Sequence, residues 1–86
     1  MTYRVLYKKS AAKELAEVPE KFQSKIRDAV GALAENPRPD GCKKLKGQWS
    51  GAYRIEVASQ YRVVYEVHDD EILVYIIRIG TRQGVY

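Results

Sequence analysis

The chain has 86 residues, 45% of them hydrophobic and 30% charged, enough for one modest core and read as a single domain over residues 1–86. No apolar run approaches the roughly 20 residues of a membrane span, and Met1-Thr2-Tyr3-Arg4-Val5 lacks the apolar stretch of a signal peptide, so a cytoplasmic location without membrane attachment is expected. The formal net charge of +4 favours anionic partners, nucleic acid or an acidic protein.

Thr2 to Lys8 alternates, with Tyr3, Val5 and Tyr7 on one side and Arg4 and Leu6 on the other, which predicts a strand. Ser10 is placed to cap a first helix, whose stripe Ala11, Ala12, Leu15 and Val18 ends at Pro19. Pro19 suits the first turn of a second helix, because its missing N–H costs nothing there. Phe22, Ile26, Val30 and Leu33 form that helix's apolar stripe, and Lys21, Lys25, Arg27, Asp28 and Glu35 its solvated side. Asn36-Pro37-Arg38-Pro39-Asp40-Gly41 is a loop.

Lys43, Lys44 and Lys46 then make a small electropositive patch, read equally well as phosphate contacts or as plain surface lysines. Trp49 is expected to cover a core edge. Three strands follow, Tyr53 to Ala58, Tyr61 to His68 and Ile72 to Ile79, joined through Ser59-Gln60 and Asp69-Asp70. Connections this short make neighbouring strands antiparallel. The last strand is apolar on both parities, as a strand inside a sheet should be. The fold class is therefore α+β in two layers, ordered β-α-α-β-β-β, with both helices on one face of a mainly antiparallel sheet. The place of the first strand in that sheet stays open.

Strand parity separates the chemistry. Tyr53, Ile55 and Val57 share a face, and Arg54, Glu56 and Ala58 the other; Tyr61, Val63 and Tyr65 oppose Arg62, Val64 and Glu66. With a tight turn, Glu56 falls opposite Arg62, both away from the helices. The expected site is an uncovered concave sheet face carrying Arg54, Glu56 and Arg62, and Arg78 is read equally well as a contact or as a plain structural residue. Arg82 and Tyr86 follow on the chain's last segment. An ion pair to Glu56 or Glu66 is the bland alternative for Arg62. Asp69-Asp70-Glu71 reads as a solvated turn. His68 is the single histidine, so no metal centre is expected, and no glycine loop or nucleophile triad calls for a cofactor. Cys42 is the single cysteine, which excludes an internal disulfide, and with no histidine near by it reads as an inert thiol.

The segments Lys43-Lys44-Leu45-Lys46-Gly47, Tyr53-Arg54-Ile55, Tyr61-Arg62-Val63-Val64-Tyr65-Glu66-Val67 and Ile77-Arg78-Ile79-Gly80-Thr81-Arg82, closing on Val85-Tyr86, resemble the RelE branch of the RelE/ParE toxin superfamily. That resemblance implies a RelE-like fold and the toxin of a type II toxin-antitoxin system. Its activity would be metal-independent, ribosome-dependent cleavage of mRNA in the 30S A site, by attack of the ribose 2′-hydroxyl on the neighbouring phosphate. Arg62, Arg82 and Tyr86 would be the catalytic set, with Arg54, Lys43, Lys44, Lys46 and Arg78 binding RNA phosphate. The implied partners are a RelB-like antitoxin, the ribosome and mRNA, with DNA met only through the antitoxin complex. Thr81 and Glu56 depart from the pattern, standing where relatives carry histidine or lysine and a second cation. A ParE-like gyrase inhibitor and a catalytically decayed RNA-binding module are the competing readings.

Overall fold

The computed structural model describes residues 2–81; Arg82 and Tyr86 lie outside them. The elements run β1 (Arg4–Tyr7), α1 (Lys9–Ala16), α2 (Glu20–Glu35), β2 (Lys43–Lys44), β3 (Ala52–Val57), β4 (Tyr61–His68) and β5 (Leu73–Thr81). They form one sheet of order β1-β5-β4-β3-β2, with the two helices packed against it. The expected two-layer α+β arrangement is the observed one. Strand β5, apolar on both parities, sits inside the sheet between β1 and β4. Neither helix among the described residues is long and apolar enough to cross a membrane.

The core lies between helices and sheet. Ala11 and Leu15 of α1 and Ile26, Val30 and Leu33 of α2 meet Ile55, Val57, Val63, Tyr65, Val74, Ile76 and Ile79 of the strands. The predicted stripe of α2 is this buried face, with Phe22 and Ala29 at its margin. Burying a side chain of this kind contributes about 1.5–3 kcal/mol. Those are the terms that offset chain entropy in so short a domain.

Several local expectations change. Helix α1 begins at Lys9 with Lys8 at its cap, so Ser10 falls inside the first turn and caps nothing. The chain passes straight from β1 into α1, which leaves no room for an earlier loop. Pro19 is the residue before α2 rather than within its first turn, and its carbonyl accepts from the Phe22 and Gln23 amides at 2.9 and 3.1 Å. Strand β3 stops at Val57, and Ala58 joins the turn. Ala58 and Ser59 hold φ of 55° and 61°. Two left-handed residues in succession suit the twist of a hairpin, at a steric cost in residues other than glycine. Two pairings were not foreseen. Strand β1 runs parallel to β5, Val5 beside Val74, and the two-residue β2 extends the far edge.

Asp69 is not a merely solvated turn residue. Its carboxylate accepts from Arg38 Nη2 at 2.8 Å and from the Tyr3 hydroxyl at 2.7 Å. Arg38 Nε also donates to the Tyr53 hydroxyl at 3.0 Å, and Tyr65 donates to the Pro37 carbonyl at 2.7 Å. One carboxylate and three phenols thus tie the proline loop to β3, β4 and the residue just ahead of β1. Burial pushes the Tyr65 phenol far above its ordinary range, so it stays a neutral donor. The Arg38 guanidinium, and after it the Tyr3 hydroxyl, holds Asp69 below the usual carboxylate value of 3.8. A carboxylate with a depressed folded pKa stabilises fully above the unfolded value and loses that contribution as pH falls through the folded one. Asp69→Asn is therefore expected to be less stable than wild type at pH 7, with the gap closing as pH falls below about 4 and through the depressed folded pKa. Denaturant midpoints at three pH values test this, and a gap independent of pH would refute it.

Candidate nucleic-acid interface

The sheet's register builds the site. Across β3 and β4, Glu56 lies opposite Arg62 and Arg54 opposite Val64, as parity predicted. Strand β2 sets Lys43 opposite Arg54, and β5 sets Gly80 opposite Arg62 and Arg78 opposite Val64. Directly opposed residues share a face. Val64 packs with Ala52 and Ile77 in a small cluster apart from the helix-covered core, which identifies this face as the one away from the helices. Lys43, Arg54, Glu56 and Arg62 therefore stand together on it.

Arg54 and Arg62 are diagonal neighbours, about 7–8 Å apart at their backbones, within span of one phosphate for two long side chains. Glu56 lies between them. Its Oε1 is 3.9 Å from Arg54 Nη1, a long contact, and Glu56 is the more exposed partner. At that distance and exposure the pair contributes little to stability, about 1 kcal/mol or less. Its larger effect is to lower the local positive potential.

The remaining expected contacts separate. Lys44 lies opposite Tyr53, on the other parity from Lys43. Lys46 is exposed one residue beyond Leu45, which itself packs on the open-face cluster. Arg78 shares the open face by its pairing with Val64, but its Nε donates to Glu14 Oε2 of α1 at 3.1 Å. Histidine 68 shares a 2.9 Å hydrogen bond with Glu66. It lies six residues along β4 from Arg62, about 20 Å, too far to move a proton at a phosphate held there. Among the described residues no cluster of three or more His, Cys, Asp and Glu could hold a metal ion. Cys42 packs, partly buried, beside the main core.

The face is not wholly uncovered. Gly47-Gln48-Trp49 makes a short helical turn between Gly47 and Gly51, whose φ of 69° and 93° fold the chain back over the sheet. Trp49 thereby caps the apolar cluster with Leu45 and Tyr75, the edge-covering role expected of it. An open groove of about 420 Å³ remains beside it, lined by Lys8, Trp49, Glu66, Tyr75 and Arg78 among others.

Glu14 was missed in the sequence, though a signal was there. It stands three residues after Ala11 and four before Val18, within the apolar stripe of the first helix. A carboxylate on a packed face calls for a partner.

Comparison with known proteins adds to this geometry. A family model described as "ParE toxin of type II toxin-antitoxin system, parDE" matches residues 5–86. The mRNA interferase toxin RelE of Escherichia coli K12 is 29% identical over 84 residues, 96% of this chain and 86% of that protein. A putative toxin RelE1 of Methanocaldococcus jannaschii is 30% identical, covering all of this chain and 97% of its own. Among solved structures, RelE in the archaeal RelE–RelB complex of Pyrococcus horikoshii OT3 superposes with a TM-score of 0.82 at 27% identity, over 99% of this chain and 100% of that one.

Removing the Glu56 charge should strengthen binding of an anionic probe. A charge about 5 Å from a bound phosphate is worth roughly 0.8 kcal/mol in water, or about fourfold in affinity. Glu56→Gln is thus expected to bind a short single-stranded RNA several-fold more tightly at low salt, with the gain fading as salt rises. Fluorescence anisotropy checks this; an unchanged affinity would mean the strand does not lie on this face.

Proposed function

The chain belongs to the ParE toxin family of type II toxin-antitoxin systems, and on that premise we propose that it is a ribosome-dependent endoribonuclease cutting mRNA in the A site. The observation that carries this reading is the shared face of Lys43, Arg54 and Arg62. A phosphodiester laid along it meets cations on three neighbouring strands.

In the proposed reaction the ribose 2′-oxygen attacks the adjacent phosphorus as the bond to the 5′-oxygen breaks. The products are a 2′,3′-cyclic phosphate and a 5′-hydroxyl. Arg62 binds the scissile phosphate and stabilises its growing negative charge. Arg82, reached one residue after Thr81, assists the same phosphate and the leaving oxygen. Tyr86 contacts the nucleotide and takes part in proton transfer. Arginine and tyrosine titrate near or above pH 10, so both are weak bases at neutral pH. The rate then rests on charge stabilisation and on in-line geometry, which the ribosome enforces on the strand. Free RNA is accordingly a poor substrate. The chain acts in the cytoplasm, on translating ribosomes.

A RelB-like antitoxin holds the chain inactive, and it meets DNA only through that complex. Support comes from the relatives solved with their antitoxins, RelE with RelB in Escherichia coli and in Pyrococcus horikoshii. A net charge of +4 favours an acidic partner that folds over the basic face. One observation favours a second reading: the matching family model carries the ParE description, which fits a gyrase inhibitor that cuts nothing.

A translating extract separates the two. Wild-type protein is expected to leave new mRNA ends within codons of stalled ribosomes. Arg62→Ala should cut at least about 100-fold more slowly with its circular dichroism unchanged. Intact mRNA with trapped gyrase would favour the second reading, and undiminished cutting by Arg62→Ala would displace the site.

A further inference from the structure

Strand β5 leads into the segment that carries Arg82, so what aims β5 matters to the reaction. Its pairing with β1 covers only Leu73 to Ile76. The last backbone bond on that side runs from the Lys8 amide to the Ile76 carbonyl, at 2.8 Å. On the other side, Val64 pairs with Arg78 but Tyr65 with Ile76, so Ile77 is an extra residue. A bulge of this kind interrupts the ladder and re-aims the strand. From Ile77 onward β5 thus changes direction where its outer edge has no strand neighbour among the described residues.

Glu14 acts at this point with both of its oxygens. Oε1 accepts from the Ile79 amide at 2.9 Å, and Oε2 accepts from Arg78 Nε at 3.1 Å. Both side chains are about one-third exposed or less, 27% for Glu14 and 34% for Arg78. Hydrogen bonds to an ionised carboxylate are the strong kind. The platform is firm, because Ala11 and Leu15, on either side of Glu14 in α1, are 0% and 7% exposed. Immediately beyond the clamp, Gly80 lies opposite Arg62 and Thr81 opposite Tyr61.

We propose that Glu14 is a positioning residue for the end of β5: clamping the Ile79 amide and the Arg78 guanidinium, it fixes the course of β5 past the bulge, where Gly80 lies opposite Arg62. This rests on the nuclease reading above. It also assigns Arg78 a second duty, as part of the clamp, beside the phosphate contact expected of it. A carboxylate is required because it alone offers two acceptors to two donors. Glutamine keeps one acceptor for the Ile79 amide and loses the charge that faces Arg78. Alanine loses both.

The test is single-turnover cleavage of ribosome-bound mRNA over a range of ribosome concentrations, for wild type, Glu14→Gln and Glu14→Ala, with folded fractions from thermal melts. Since misplacement by about 1 Å can cost about 100-fold in rate, Glu14→Ala is expected to lose about tenfold or more in the saturating rate per folded molecule. The half-saturating ribosome concentration should not change, and Glu14→Gln should fall between. A clamp that only stabilised the fold would lower the folded fraction and leave the saturating rate intact; that result, or a glutamine variant no better than alanine, overturns the proposal. Uncut mRNA with the wild-type chain would overturn the nuclease reading itself, and this inference with it.

Discussion

Opposing Glu56 to Arg62 across the β3–β4 hairpin sets every later feature of the face. Side chains alternate along a strand, so a slip of one residue would send Arg62 toward the helices and Val63 to solvent. The core forbids it: Val63 and Tyr65 are fully buried on the helix side, and Tyr65 is further pinned through its bond to the Pro37 carbonyl. Apolar burial on one side of the sheet therefore dictates where the guanidinium groups stand on the other. The stability of the fold and the placing of the guanidinium groups are two consequences of one register.

That coupling explains which parts of the molecule were legible beforehand. Alternation in Tyr53–Val57 and Tyr61–Val67, and near-helical spacing from Phe22 to Leu33, are local patterns with strong burial behind them, and they gave the layers, the hairpin and the Glu56–Arg62 pairing. What the sequence hid depends on partners distant along the chain. The parallel pairing of β1 with β5 joins the two ends of the element order across two helices and three strands, with no turn whose residues could announce it. The bulge at Ile77 has no glycine or proline to mark it. Asp69 sits in an acidic triplet that looks solvated until Arg38 and Tyr3 arrive from 31 and 66 residues away. Ser10 has the right chemistry for a cap, but a strand running directly into α1 moves the helix start ahead of it. Glu14 could have been suspected from its place in an apolar stripe, yet nothing local names Ile79 and Arg78 as its partners.

The open face divides its surface between two tasks. Around Trp49 it is a second, smaller core, which shields Ala52, Val64 and Ile77 from water. Toward the β3–β4 turn it is cationic. Gathering Lys43, Arg54 and Arg62 there sets like charges near one another, which disfavours the folded state unless something offsets it. Glu56, opposite Arg62 and beside Arg54, lowers the local positive potential. An anionic strand, or an acidic segment of an antitoxin, would take over the same neutralising role when bound.

The most direct test of this account follows the arginine Nε–H resonances by NMR while a short RNA, 2′-deoxy at one linkage to block cutting, is titrated in. The Arg54 and Arg62 signals should shift together and saturate at one concentration, with Arg27 on the helix side unmoved. Shifts confined to Arg27 and the α2 amides, with Arg54 and Arg62 silent, would place the strand on the opposite layer and contradict the account.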